Sequence, residues 1–533
     1  MLTQLFFKTN PFSTMFTTAT SYQKKVGWLI VVALVVKIIL SFFIELGNDE
    51  VYYYTYAIQP DWNHFDHPGM VGWMMRVTSL NLYWVSALSM RIGSMICAGL
   101  ATYFIFKIGA VIKDEYAGYI AAWLYTISFY TSIIAGLFVL PDSPQLLFFT
   151  LSIYWMVKQV KNNHHFTTKD WIILGVLIGL STLSKVHGLY LWAGFGAFIL
   201  FHQTKTLQQA GLYIGVFISV LCVLPIVYWN VQNDFITYQF HSERVMHTGL
   251  QLDSFLQQIV GEMIYQNPLV YLSVIIAFFN FKRLKLAFQQ QPAMLKLLLW
   301  LSIPLIATFW ILSLFNSTLP HWTGPGFIAL FIISGVYWST YTPKEKGLPI
   351  IVKYASGLLA ILVTGILLFI YVFPKQIGST QSANLGEYNP INDLTGWERF
   401  TKAFEQIVEK DKAAGIIKPN APIIVHKWFP AGHLLFYTAR PLNMDVIAVG
   451  KLEDVHKFAW LNVQTKGLSL GEDAYCIVPS NLPVDPQLLY GTYFKKIVKP
   501  DTIAMVTQGV TLRNFYVYRL IHCKKLPEAI IAK

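Results

Sequence analysis

Residues 24–70, "KKVGWLIVVALVVKIILSFFIELGNDEVYYYTYAIQPDWNHFDHPGM", set an apolar run between two lysines and a group of carboxylates. The run at 26–44 carries one charge, Lys37, and is about as long as the roughly 20 residues a helix needs to cross a bilayer. Glu45, Asp49, Glu50, Asp61 and Asp66 follow, with tyrosines at 52–54 and 56. Asp49 and Glu50 fall within about one helical turn of the expected bilayer edge. An ordinary wet loop would account for acids there, and so would chemistry at the membrane boundary.

The whole chain reads the same way. Of 533 residues, 55% are hydrophobic and 13% charged, against roughly 25% charged in soluble proteins. Eleven apolar segments are expected, at 26–44, 84–106, 116–135, 144–160, 171–184, 188–201, 211–229, 264–281, 297–315, 323–340 and 354–373. The pair 171–184 and 188–201 is short, and reads as two broken helices or a re-entrant hairpin around "LSKVHG". With the N-terminus inside, sixteen Lys and Arg fall on inner loops and three, Arg76, Lys185 and Arg244, on outer ones. The positive-inside rule therefore fixes the orientation. The first run has no cleavage pattern after it, so it is expected to stay as a span rather than be removed as a signal.

Past Phe373-Pro374 the polarity becomes ordinary. Residues 1–374 are expected to form the transmembrane domain and 375–533 an extracytoplasmic α/β domain. In the latter, "GWERFTKAFEQIVEKDK" has helical periodicity, while "PIIVHKW", "GHLLFYT", "DVIAVG", "YCIVPS" and "LRNFYVYRLI" read as strands. The net charge of +12 is spread over both parts without a basic run, so a nucleic-acid footprint is unsupported. Cys97, Cys222, Cys476 and Cys523 have no metal-ligand spacing, although the last two could pair outside the cytoplasm.

Titratable residues of five separate outer loops face one compartment. They are Asp49, Glu50, Asp66 and His67; Asp142; Lys185 and His187; His241, Glu243, Arg244 and His247; and His321. Each has a plain reading. The tyrosines suit an interfacial aromatic belt, Asp142 could cap a helix, Lys185 could snorkel, and His241 and Arg244 could merely share a helix face. Gathered on one face at bilayer height, they suggest a site.

The order "DE…FDHPGM…PDSP…SKVHG…YWN…FHSER…LPHWTGP…DLTGWERF" resembles the family 39 and family 83 glycosyltransferases over residues 28–340, with a weaker echo at "DLTGW" and "GHLLFYTARP". These include protein mannosyltransferases and the lipid A aminoarabinose transferase. The resemblance implies a polytopic α-helical membrane protein of the GT-C class. It implies a sugar transferred from a polyprenyl-phosphate carrier to a lipid, glycan or protein acceptor at the outer face of the cytoplasmic membrane. Asp49 matches the family's essential acid and Glu50 its companion. Asp66 stands where relatives often have an acid, with His67 where some have lysine and Gly69 in place of a second proline. Asp142 matches the acid of the second outer turn, Arg244 a basic residue after the long loop, and His321 a polar or basic position before the next span. On chemical grounds, Arg244 would grip the carrier phosphate, helped by Lys185 and His321. Asp49 would take the proton of the attacking hydroxyl, and Asp66 would orient sugar, acceptor or a cation. A divalent metal stays open as a cofactor. A secondary transporter or flippase is the alternative, but only Lys37 and Arg91 lie clearly inside spans and no repeat is visible.

Overall fold

The computed structural model describes residues 20–162, 166–243 and 249–527. Each of the eleven apolar segments lies on helix in it. By length and composition, five helices are able to cross a membrane: Ser21–Phe43, Ala87–Ile112, Ala210–Gln232, Pro292–Ser313 and Lys344–Tyr371. A bent pair, Leu252–Tyr265 with Pro268–Phe279, makes a sixth if counted as one span. The chain is a multi-pass membrane protein.

The short pair resolves into two separate helices, Thr168–Ser184 and Leu189–His202, joined by a 3-10 turn at Val186–Gly188. The first packs on Ala210–Gln232 and the second on Pro292–Ser313. Small residues permit the first approach: a Cβ on Gly175 would sit 2.3 Å from the Gly215 carbonyl oxygen. Close helix contact at small residues is the usual way for helices to associate in lipid.

The segment expected at 264–281 is broken instead. The helices Leu252–Tyr265 and Pro268–Phe279 meet at 104°. Asn267 makes the corner with φ +65°, a left-handed conformation that asparagine tolerates. Its amide donates to the carbonyls of Ile127 (3.1 Å) and Ala355 (3.0 Å), and Pro268 is suited to begin the next helix.

The acidic stretch after the first span is no wet loop. It forms the helices Asn48–Ile58 and Met70–Thr78, with the intervening turn pinned by an Asn63–Pro68 bridge. Tyr52, Tyr53, Tyr54 and Tyr56 are buried, so they do not form an interfacial belt. They pack under the C-terminal part of the chain, Tyr52 on Trp428 and Tyr54 on Phe436.

That part holds a five-stranded sheet in the order β2-β1-β3-β5-β4. Its strands are β1 (Ile423–Val425), β2 (Val446–Ala448), β3 (Ala474–Pro479), β4 (Phe494–Thr507) and β5 (Val510–Cys523). β1 runs parallel to β2 and β3, while β5 is antiparallel to β3 and β4. The expected helix appears as Trp397–Ala413. "GHLLFYT", expected as a strand, is instead the end of a short helix and a π-helical turn, Leu434–Ala439. A short apolar run buried on all sides carries no period to separate strand from helix. Cys476 and Cys523 are both free thiols, not a disulfide.

One hydrophobic core joins the two parts, combining Leu46, Val51, Tyr54 and Tyr56 with Trp397, Phe400, Phe436 and Phe515. Polar contacts reinforce it. Glu45 accepts the first free N–H groups of the Trp397–Ala413 helix, from Trp397 (2.8 Å) and Glu398 (3.1 Å). Asn48 donates to Asp393 (2.7 Å) and also meets His433 (2.8 Å).

Beneath this joint lies a buried ion pair. Arg91 donates through Nε and Nη2 to both Glu50 oxygens, at 2.8 and 2.6 Å, with side-chain exposures of 0% and 2%. Its remaining donors reach the carbonyls of Ile44 (2.7 Å) and Glu45 (2.9 Å). Replacing Arg91 by Met should strand a buried carboxylate and destabilise the protein by about 3–5 kcal/mol. Adding Glu50→Gln should recover part of the loss. Thermal unfolding in detergent measures both, and a single variant melting like wild type would show that the pair is not an anchor.

Candidate active site

The helix Asn48–Ile58 sends its first two acids to different surroundings. Glu50 is fully engaged: beyond Arg91 it accepts from the Gly47 N–H (2.9 Å) and the Val139 N–H (3.1 Å). Asp49 is solvent-exposed and, among the described residues, has no hydrogen bond or ion pair. Protein nonetheless crowds around it, and Asp66, Glu50, Asp142 and Asp393 all repel its charge. Burial first, then Asp66, push its carboxyl up to about 6.

Asp66 has the opposite environment. It accepts from the Tyr52 hydroxyl at 2.8 Å and from the Tyr56 hydroxyl. Burial would raise its pKa, but His67, His456 and the two tyrosines outweigh that and hold it below the usual carboxylate value. Its backbone oxygen bonds His241 Nε2 at 2.9 Å, and the His67 and His241 rings lie 6.1 Å apart. Burial lowers His67 to about 4 despite Asp66, so its ring is neutral at pH 7.

Asp142 starts the helix Asp142–Lys161 and pairs with Lys185, whose Nζ lies 2.9 and 2.8 Å from its two oxygens. Tyr130 donates to the same carboxylate at 2.6 Å, from a π-helical turn, Tyr130–Ile134. The His321 ring lies over Tyr130, 6.4 Å between centroids, and beside Tyr265 at 5.8 Å. Burial, then Lys185, bring His321 down to about 4. His187 is buried against Phe309 and Trp322, and among the described residues neither ring nitrogen has a hydrogen-bond partner.

The structure thus gathers Asp49, Asp66, His67, His241, Asp142, Lys185 and His321 into one neighbourhood and ties Glu50 to Arg91 beside it. Arg244 and His247 lie outside the described residues. Among the described residues no group of three or more His, Cys, Asp or Glu is arranged to hold a metal ion. Sequence reasoning missed Tyr52, Tyr56 and Tyr130 as ligands of the acids. The four-residue spacing of Tyr52 and Tyr56 would have revealed a shared face had the stretch been read as a helix. Next to the Lys185 turn, an apolar cavity of about 580 Å³ runs between the helices Leu189–His202 and Ala210–Gln232, lined by Leu189, Trp192, Leu212, Val216, Val220 and Leu224.

Comparison with known proteins agrees with this picture. The family model described as dolichyl-phosphate-mannose-protein mannosyltransferase matches residues 66–229. The chain is 21% identical over 310 residues to the lipid A galacturonosyltransferase RgtD of Rhizobium johnstonii. That match covers 56% of this chain and 62% of RgtD, less than two thirds of the relative's length. The fold is similar to that of ArnT from Cupriavidus metallidurans, with a TM-score of 0.60 to the form bound to undecaprenyl phosphate and 0.58 to the apo form. Identity to each is 15%, with 93% of this chain and 98% of that one covered. In sequence over part of its length and in fold over nearly all of it, the chain resembles the GT-C glycosyltransferases.

Proposed function

We propose that the chain is a membrane glycosyltransferase. It takes a sugar from a polyprenyl-phosphate carrier and passes it to an acceptor, whether lipid A, another glycan or a protein, at the outer face of the cytoplasmic membrane. Asp49 is the observation that carries this reading: a solvent-reached carboxylate with a raised pKa and, among the described residues, no partner, in a neighbourhood where the other acids are engaged. The ArnT form with undecaprenyl phosphate supports the class of donor, and the lipid A in RgtD's name supports one class of acceptor. Both names that state an activity state a glycosyl transfer, and nothing supports a transporter.

In the reaction, the acceptor hydroxyl attacks the sugar carbon bonded to the carrier phosphate. The carbon–oxygen bond to phosphate breaks, its electron pair stays on the phosphate, and the hydroxyl proton passes to Asp49. A single displacement of this kind inverts the sugar carbon. Charge growing on the phosphate calls for cations. Arg244 and Lys185 fill that role, Lys185 having donors to share beyond Asp142. His67 and His321, neutral at pH 7, act as hydrogen-bond partners rather than charges, and His241 braces the Asp66 backbone. Asp66 orients the sugar. Glu50, with its oxygens already taken, is a positioning residue and not a second base. The lipid tail lies in the apolar cavity, with its phosphate at the Lys185 turn.

The same reading crosses the membrane eleven times and divides the chain at 1–374 and 375–533. The sixteen-to-three charge bias supports a sheet domain outside the cytoplasm. A C-terminal reporter active only in the cytoplasm should stay silent, and strong signal would overturn the orientation.

Asp49→Asn keeps size and shape but cannot take a proton. Turnover with the cognate sugar lipid should fall roughly 10²–10⁴-fold, while binding of the donor lipid persists. Near-normal turnover in folded Asp49→Asn protein would remove Asp49 as the base.

The raised pKa adds a pH signature. Asp49 acts only when ionised, so turnover should climb about tenfold per unit as pH approaches 6 from below and then level off. A rate flat between pH 4.5 and 7 would contradict the assignment.

A further inference from the structure

The sheet domain reaches the Tyr52–Asp66 pair with Trp428 and His456. His456 follows the short helix Leu452–Val455 and has φ +49°, a left-handed conformation uncommon for a residue with a side chain. Such conformations persist where the surroundings over-determine them, and they cluster at functional sites. The surroundings here are four aromatic rings drawn from three parts of the chain. Phe65 lies 4.7 Å from the His456 ring and Tyr52 5.8 Å, both from the first outer segment. Phe240 of the helix Ile236–Glu243 lies at 5.5 Å. Trp428 of the sheet domain stacks at 5.5 Å with 20° between planes.

Two of these rings lead directly to the acid. Tyr52 donates to Asp66 at 2.8 Å, and Phe65 precedes Asp66 in the chain. Trp428 closes the circuit by packing on Tyr52 at 5.1 Å. His456 is only 7% exposed, so the box around it leaves it little freedom to move. Burial would raise the Asp66 carboxyl, and after His67 the His456 ring is among the groups that hold it low. A packing residue would need only a ring here, whereas the polar ring next to the Tyr52–Asp66 pair suggests more.

We propose that His456 is a positioning residue contributed by the sheet domain, fixing Tyr52 and Asp66 so that the site is complete only when that domain is docked. The proposal rests on the glycosyl transfer proposed above, in which Asp66 orients the sugar.

The test is a double-mutant cycle on the full-length protein in detergent, with release of polyprenyl phosphate from a sugar-loaded carrier as the readout. His456→Phe keeps a ring in the box and should lower turnover roughly tenfold, with the melting temperature near that of wild type. The same change made in Asp66→Asn protein should alter turnover less than about twofold, because the two residues act as one unit. If the Phe variant does not fold, His456→Gln takes its place in the cycle. Independent effects of the two substitutions, or normal turnover in the single variant, would overturn the proposal. A second readout needs no donor: the ring nitrogen signal of ¹⁵N-labelled His456 should shift in Asp66→Asn protein, and an unmoved signal would overturn the coupling. A wild-type protein inactive toward every polyprenyl-phosphate sugar would instead sink the proposed reaction, and the nitrogen signal would still decide the coupling.

Discussion

The pairing of Arg91 with Glu50 anchors the acidic helix against the first span. A guanidinium and a carboxylate at essentially zero exposure cannot part without leaving an unpaired buried charge. Arg91 also gathers the carbonyls at the end of the first span, and Glu50 the N–H of Val139. Three segments far apart in sequence are thereby locked to the start of one short helix. Because that helix cannot rotate, its tyrosine face must meet the sheet domain and Asp49 must point to solvent.

Three acids, one chemical group, are set to three states by their neighbours. Asp142 is matched by an ammonium. Asp66 is cradled by two phenols. Among the described residues Asp49 meets only desolvation and repulsion, which raise its affinity for a proton. This is the separation of proton affinities that acid–base chemistry requires. In the reaction proposed above, this arrangement accounts for the acids that a chain so poor in charge concentrates in one place. A carboxylate becomes a useful base where other groups have already satisfied its neighbours.

Much of this could be read from the residues, for identifiable reasons. A membrane span is a long, uniform signal, so 26–44 and 354–373 were legible from composition, as were the amphipathic helix at 397–413 and the strands at 423–425 and 474–479. The motif order brought Asp49, Asp66 and Asp142 together before any coordinates. What escaped depends on three-dimensional neighbours. "VYYYTYAI" looks like an interfacial belt because tyrosine suits both water's edge and a core, and only the covering domain decides between them. β4 was missed because an edge strand keeps its charges and even a proline: Pro500 sits at a register shift between Val498 and Asp501. The break at Asn267 falls at the asparagine–proline turn signal of "YQNP", at the edge of the segment read from 264, but the carbonyls of Ile127 and Ala355 that hold it are distant in sequence and were hidden. The role of Glu50 was hidden in the same way, since nothing near it in the chain announces Arg91.

The shared core has a consequence for how the protein is made. Glu45 caps a helix that begins 352 residues later. A ribosome adds about 5–20 residues per second, so roughly 20–70 s separate the emergence of the tyrosine helix from that of its cover. Throughout that interval the helix Asn48–Ile58 stands at the membrane surface with an aromatic face and no lid. Maturation of the Asn48–Ile58 helix is therefore tied to the last part of the chain, and a message truncated before residue 397 would yield a membrane-inserted protein in which that helix is never covered.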